Sequence, residues 1–380
     1  MQGFSTYSDL LDHVDNLSVP YRRLGVAPDG QPIVAAETGG DEGPAVVISA
    51  GAHATEHAGV RAAVELLDTL VTDHPVHVVP SRDPVGLNGY EYALETALGE
   101  SVSIDSFDDV EAILRDRGEV TFDENGILLA LLGDIGFATT LPTEDQSSCL
   151  SLMTRFKEFQ TERPEVLNPY RGRRIVTPAG HPDVEETGNF GRAYTLVVGP
   201  EGSLLHLNRF FDREWAPVET RCVRRLMAEV DPVLVFDLHE SSRQEERYHV
   251  SLRPPQSDVS RDGERRIAER IVAAVQDTGI TIATDEDVMG GSMDVVGRDE
   301  EAQGHSGPFY SKAAEGAYWV DPHVTSPPRS GEGLNSVDFG ADEYGFAFTT
   351  ETGMLGDFED RVRAAVVSVQ AGIEAFDEEA

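Results

Sequence analysis

The sequence has almost no lysine and little cysteine. Only Lys157 and Lys312 are lysines among its 30 basic residues, and 68 Asp and Glu leave a formal net charge of −38. That balance offers no basic surface from which counterions could be displaced, so neither nucleic acid nor an anionic membrane is an expected partner. The two cysteines, Cys149 and Cys222, cannot build a disulfide framework, and neither sits in a CxxC pair. No apolar run approaches the ~18 residues of a spanning helix. The first residues, Met1 to Leu11, lack the basic region and apolar core of a secretory signal. A soluble cytoplasmic protein is the expectation. No internal repeat or low-complexity tract is visible.

The chain has 380 residues, 40% of them apolar, enough for one large α/β domain or two smaller ones with ample core. Its charge repels itself at low salt, where the screening length is ~10 Å at 0.1 M. A halophilic protein, adapted to concentrated salt that screens this repulsion, is expected.

One stretch organises the rest. Ala45 to Ser49 is an apolar run the length of a buried strand, Gly51 breaks it, and His53, Glu56 and His57 follow. Val60 to Leu70 then carries apolar residues at helical spacing. The order is strand, tight turn, helix, with metal-capable side chains at the turn, where open α/β sheets bind ligands. Two zinc arrangements are open. His53 and Glu56 could be ligands with a third from far downstream, or His53 and His57 could both bind, with Glu56 as base, as in His-x-x-Glu-His motifs.

Along the chain, Ser8–Leu17 is predicted as a helix, and Tyr21–Val26, Pro32–Glu37 and His74–Pro80 as strands. Ser81 to Tyr90 is predicted as an ordered loop. Residues 91–190 alternate acidic stretches with short helical patterns and are taken as an insertion or lid within one domain, 1–380. Helices are expected at about Pro217–Val230, Asp262–Thr278 and Phe358–Phe376. Two further strands carry chemistry at their carboxyl ends: Pro232–Glu240, with Asp237 and His239, and Glu343–Gly353, with Glu351. A catalytic zinc needs three protein ligands and one open position, which His53, Glu56 and His239 would supply. Water activated there needs a carboxylate base, for which Glu351 is the candidate.

This set resembles the funnelin-type zinc carboxypeptidases and their deacylase relatives, the succinylglutamate desuccinylases and aspartoacylases. His53-Ala-Thr-Glu56 is similar to their His-x-x-Glu pair and Asp237-Leu-His239 to their third ligand. Asn208-Arg209 resembles the pair that grips a substrate's terminal carboxylate, and Asp83-Pro-Val-Gly86 their Asn-Pro-Asp-Gly loop. Gly290-Gly-Ser-Met-Asp294, with Met293, and Phe346 to Glu351 are similar to their late pocket-lining segments.

The resemblance implies an α/β fold with a mixed central β-sheet flanked by helices. It implies Zn2+ held by His53, Glu56 and His239, with His57 a neighbour. Glu351 becomes the general base, Arg192 (or Arg171, Arg173 or Arg174) the cation on the scissile carbonyl, and Asn208, Arg209 and Met293 the substrate contacts. The implied activity is removal of C-terminal residues from peptides. An alternative is hydrolysis of N-acyl amino acids, and a third is zinc or substrate binding without catalysis. Two departures stand out. His206 occupies a place where relatives have Asp, and Glu286 or Asp287 stands where a Tyr is expected, so that either that role is absent or Tyr310 or Tyr318 fills it from elsewhere.

Overall fold

The computed structural model describes residues 3–142, 148–179, 190–241, 247–254, 261–289, 310–320 and 333–379. The chain first lays down β1 (Tyr21–Val26), β2 (Pro32–Gly39), β3 (Val46–Ala50) and β4 (Pro75–Val79). It then builds β5 (Glu119–Glu124), β6 (Ile127–Leu132), β7 (Ile135–Thr139), β8 (Arg173–Pro178), β9 (Ala193–Val198) and β10 (Leu204–His206). Finally come β11 (Leu234–Ser241), β12 (Arg247–Leu252), β13 (Thr281–Ile282), β14 (Tyr310–Ala314), β15 (Ala317–Val320) and β16 (Phe346–Gly353).

Ten of these form one mixed sheet in the order β1-β2-β4-β3-β11-β16-β12-β15-β14, with β13 beside β12. Its centre is parallel: β3 pairs with β4 and β11, and β11 with β16. These strands are apolar on both faces because helices cover both. Val46, Ile48, Leu234, Phe236 and Leu238 face the helices Tyr7–Leu17, His57–Thr69, Asp262–Asp277 and Phe358–Glu379. Val47 and Val235 face the helices Val218–Val230 and Ser336–Glu343. The expected mixed sheet flanked by helices is therefore the fold the chain adopts. Among the described residues no helix is long and apolar enough to cross a membrane.

The stretch expected as an insertion or lid contributes most of a second sheet, ordered β10-β9-β8-β7-β6-β5. It has apolar clusters of its own, with Phe156, Tyr170 and Leu196 in one and Tyr90, Leu94 and Phe137 in another. A buried ion pair, Arg174 to Glu219 at 2.9 Å, joins β8 to the helix Val218–Val230. The predicted loop Ser81–Tyr90 contains a short helix, Pro84–Asn88. Pro84 suits its first turn, and the Asp83 carboxylate accepts the Gly86 N–H at 3.0 Å. Cys149 and Cys222 are both buried, and no disulfide joins them.

Candidate metal centre

The polypeptide turns sharply after β3, where Gly51 takes φ +62, and His53 and Glu56 sit on this turn. Glu56 immediately precedes the helix His57–Thr69. That helix lies close on β11, because a Cβ on Gly59 would come within 2.8 Å of the Leu238 carbonyl oxygen. Glu240, on the same face of β11, accepts the Ala58 N–H at 2.7 Å and pairs with Arg361 at 2.6 Å, pinning the first turn. His239 projects from the opposite face, next to the turn.

Glu56 bridges two imidazoles. Its Oε1 lies 2.7 Å from His53 Nδ1 and its Oε2 2.7 Å from His239 Nδ1. The donor atoms of His53, Glu56 and His239 all fall within 4.8 Å of one another. The outer nitrogens are occupied elsewhere: His53 Nε2 meets His206 Nδ1 at 2.7 Å, and His239 Nε2 meets Asp237 Oδ2 at 3.0 Å. Two rings with outer nitrogens engaged and inner nitrogens converging on one carboxylate fit a divalent cation such as zinc. His57 is not part of this group. It is buried against Gly3, and burial with Arg192 and Arg361 nearby holds its pKa well below that of a free imidazole.

Behind His239 lies a buried polar network. Asp237 accepts from Arg82 Nη2 at 2.8 Å, from Ser49 Oγ at 2.7 Å and from Ser336 Oγ. Burial alone would raise the Asp237 pKa, but Arg82 and His239 hold it far below the usual carboxylate range. His239, buried between Glu56 and Asp237, is shifted well up despite its burial. His53 moves the other way, chiefly through burial.

β16 runs parallel to β11 with Glu351 directly opposite His239, and β12 places His249 opposite Glu351 from the other side. His239, Glu351 and His249 thus form one row across one face of the sheet. Glu351 is partly exposed, and burial, then the carboxylates of Glu56, Asp237 and Glu240, raise its pKa against the pull of His239. Burial lowers His249 to about 3. Tyr318 meets the His249 ring edge-on at 5.9 Å and donates its hydroxyl to Asp285 at 3.1 Å.

The remaining predicted residues are placed differently. Asn208 is buried behind His239: its Oδ1 accepts from Arg82 at 3.0 Å, and its Nδ2 lies 2.9 Å from His239 Nε2. Arg209 is partly exposed and donates to the Asn208 carbonyl at 2.7 Å. Phe210, next in the chain, holds φ +73, a strained value for a bulky residue. Arg192 is not brought to the cluster. Only 1% exposed, its guanidinium donates to the carbonyls of Ser5 (3.0 Å), Leu87 (2.8 Å), Gly191 (2.9 Å) and Phe4, tying down the N-terminal segment. Of the other arginines considered for the scissile carbonyl, Arg174 is committed to Glu219 and Arg171 to Asn168 and the Pro200 carbonyl. Met293 and the segment Gly290 to Asp294 lie outside the described residues. Arg82, in the middle of the predicted loop Ser81–Tyr90, carried no sign of a role, because its partners are 126 and 155 residues away.

No known family's sequence profile matches the chain, and no curated protein matches it. Among solved structures it is similar to a metallo-carboxypeptidase from Pseudomonas aeruginosa in complex with (2-guanidinoethylmercapto)succinic acid. That match has 12% identity over 98% of this chain and 68% of that chain, with TM-score 0.49. It is also similar to carboxypeptidase A from Helicoverpa armigera (10% identity, 99% of this chain, 74% of that chain, TM-score 0.48). A third match is a metallo-carboxypeptidase from Burkholderia cenocepacia (11% identity, 98% and 69%, TM-score 0.47). The likeness is to metallocarboxypeptidases. At such identities and TM-scores the likeness carries no role to this chain, and what the site does has to come from its own atoms.

Proposed function

We propose that this protein is a zinc-dependent hydrolase that removes the C-terminal residue of a peptide. One observation supports this reading above the others. The inner nitrogens of His53 and His239 converge on the Glu56 carboxylate, with Glu351 level with His239 on the adjoining strand. Zinc, when bound by His53, Glu56 and His239, supplies Lewis acidity, bringing the pKa of water towards ~7 and polarising a carbonyl.

The chain's own residues do the rest. Glu351 takes a proton from the attacking water at its carboxylate and returns it to the departing amide nitrogen. Its raised proton affinity, set by burial and neighbouring carboxylates, makes it a stronger base once ionised. Asp237, kept ionised by Arg82, holds His239 in the tautomer whose Nδ1 is free to bind. Arg209, on its strained corner, offers a guanidinium fork to the carboxylate of a chain end. Asn208 acts from behind His239, and Arg192 has no part in the reaction.

The test is zinc content and turnover of purified protein, with peptides compared against N-acetyl and N-succinyl amino acids. About one zinc per chain, lost in His239→Ala, with release of C-terminal residues from peptides is the expected result. Turnover of N-acyl amino acids alone would replace the peptidase with a deacylase. Zinc retained by His239→Ala but lost by His57→Ala would overturn the ligand set.

A further inference from the structure

The two imidazoles of the centre are backed by different chemistry. His239 Nε2 faces Asp237, a carboxylate paired with Arg82. His53 Nε2 faces another imidazole, His206 Nδ1, at 2.7 Å. The His53 and His206 rings are 4.6 Å apart and tilted by 58°. Tyr194, from β9, stacks on the His53 ring at 5.1 Å with the planes 18° apart. The second sheet therefore grips His53 at its edge through β10 and on its face through β9.

We infer that His206 is a positioning residue for the metal centre and sets the donor strength of His53; this rests on the ligand set proposed above. With a cation on His53 Nδ1, the ring proton has to sit on Nε2 and point at His206. His206 Nδ1 must then accept, so its own proton resides on Nε2. Ligating imidazoles usually pass this proton to a carboxylate, a backbone carbonyl or water, and a carboxylate raises their basicity. A neutral imidazole accepts the same hydrogen bond without adding charge. His53 is thus oriented as firmly as His239 but donates more weakly, which leaves the cation less neutralised and more strongly Lewis acidic.

Position 206 makes a clean experiment possible. It is partly exposed, on the edge strand of the second sheet, so a change there opens no core. The Oδ1 of Asn or Asp is as many bonds from Cβ as the Nδ1 of His and can accept in the same place. Zinc affinity of the full chain would be measured by competition with a chromophoric chelator for wild type, His206→Asn, His206→Asp and His206→Leu. The tautomer of His206 would be read by nitrogen-15 NMR of the zinc-loaded protein.

His206→Leu is expected to bind zinc about 10–100-fold more weakly. His206→Asn should stay close to wild type, His206→Asp should bind more tightly, and the wild-type ring should carry its proton on Nε2. Wild-type affinity in the Leu variant, a proton on His206 Nδ1, or weaker binding by Asp than by Asn would each overturn the inference. Zinc lost by His239→Ala but kept by His206→Leu would remove this inference alone. Zinc kept by His239→Ala would remove the ligand set beneath it.

Discussion

Asp237→Asn would separate charge from shape at the centre of the buried network. The asparagine can turn its oxygen towards Arg82, Ser336 and His239 and its amide towards Ser49 Oγ, which rotates to accept. The hydrogen-bond geometry survives and only the negative charge goes. Arg82, 1% exposed, then lacks its ionic partner and keeps the Asn208 oxygen at 3.0 Å. Breaking a buried pair costs about 3–5 kcal/mol, and the retained hydrogen bonds place this case at about 3 kcal/mol. An unfolding entropy of about 2.1 cal/mol/K per residue gives roughly 0.8 kcal/mol/K for a chain this long, hence a fall in Tm of about 4 °C. Zinc affinity should fall by a further factor of about 10–100, because His239 loses the carboxylate that orients it.

The assays are thermal unfolding of metal-free protein and chelator competition for zinc. Adding Arg82→Leu should restore part of the lost stability by removing the stranded cation. An unchanged Tm together with unchanged zinc affinity would refute the reasoning, since neither the buried cation nor His239 would then depend on that charge.

Glu351→Gln should lower kcat by about 10²–10⁴-fold, the usual contribution of a general base, while zinc content stays at the wild-type level. Unchanged turnover, checked by steady-state kinetics, would take Glu351 out of the mechanism. Asp83 has its pKa raised by burial from 3.8 to about 7, so between those values the folded protein holds a proton that the unfolded chain releases. Its contribution to stability is therefore full below pH 3.8 and is lost as pH rises through about 7, and denaturant midpoints of Asp83→Asn should lack this component. With a net charge of −38, the unfolding midpoint should rise steadily from low to molar KCl, and a maximum at low salt would sink the halophilic reading.

What the sequence disclosed and what it hid divide along physical lines. His53, Glu56, His239 and Glu351 were legible because each ends or follows a strongly apolar strand, and strand ends in such sheets meet at one edge. Arg82 was not, because its partners Asn208 and Asp237 are distant in the chain and its neighbours look like ordinary turn residues. The second sheet was hidden by β10, which is only three residues long, and by β5, whose outward-facing acidic residues mask the alternation. Arg192 misled for another reason. An arginine that binds backbone carbonyls leaves no charged partner in the sequence to betray it. His206 looked like a missing carboxylate, and only the spatial approach of β10 to the turn after β3 reveals what it touches.

The pairing of β11 with β16 works as a ruler. Backbone hydrogen bonds set the spacing between the His239 and Glu351 rungs at about 4.8 Å, whatever chain joins the two strands. A single residue inserted within either strand would turn the carboxylate to the opposite face, and two would carry it about 6.6 Å along the sheet. The imidazole and the carboxylate therefore keep their separation through changes made elsewhere in the chain, provided eight residues of each strand stay in step.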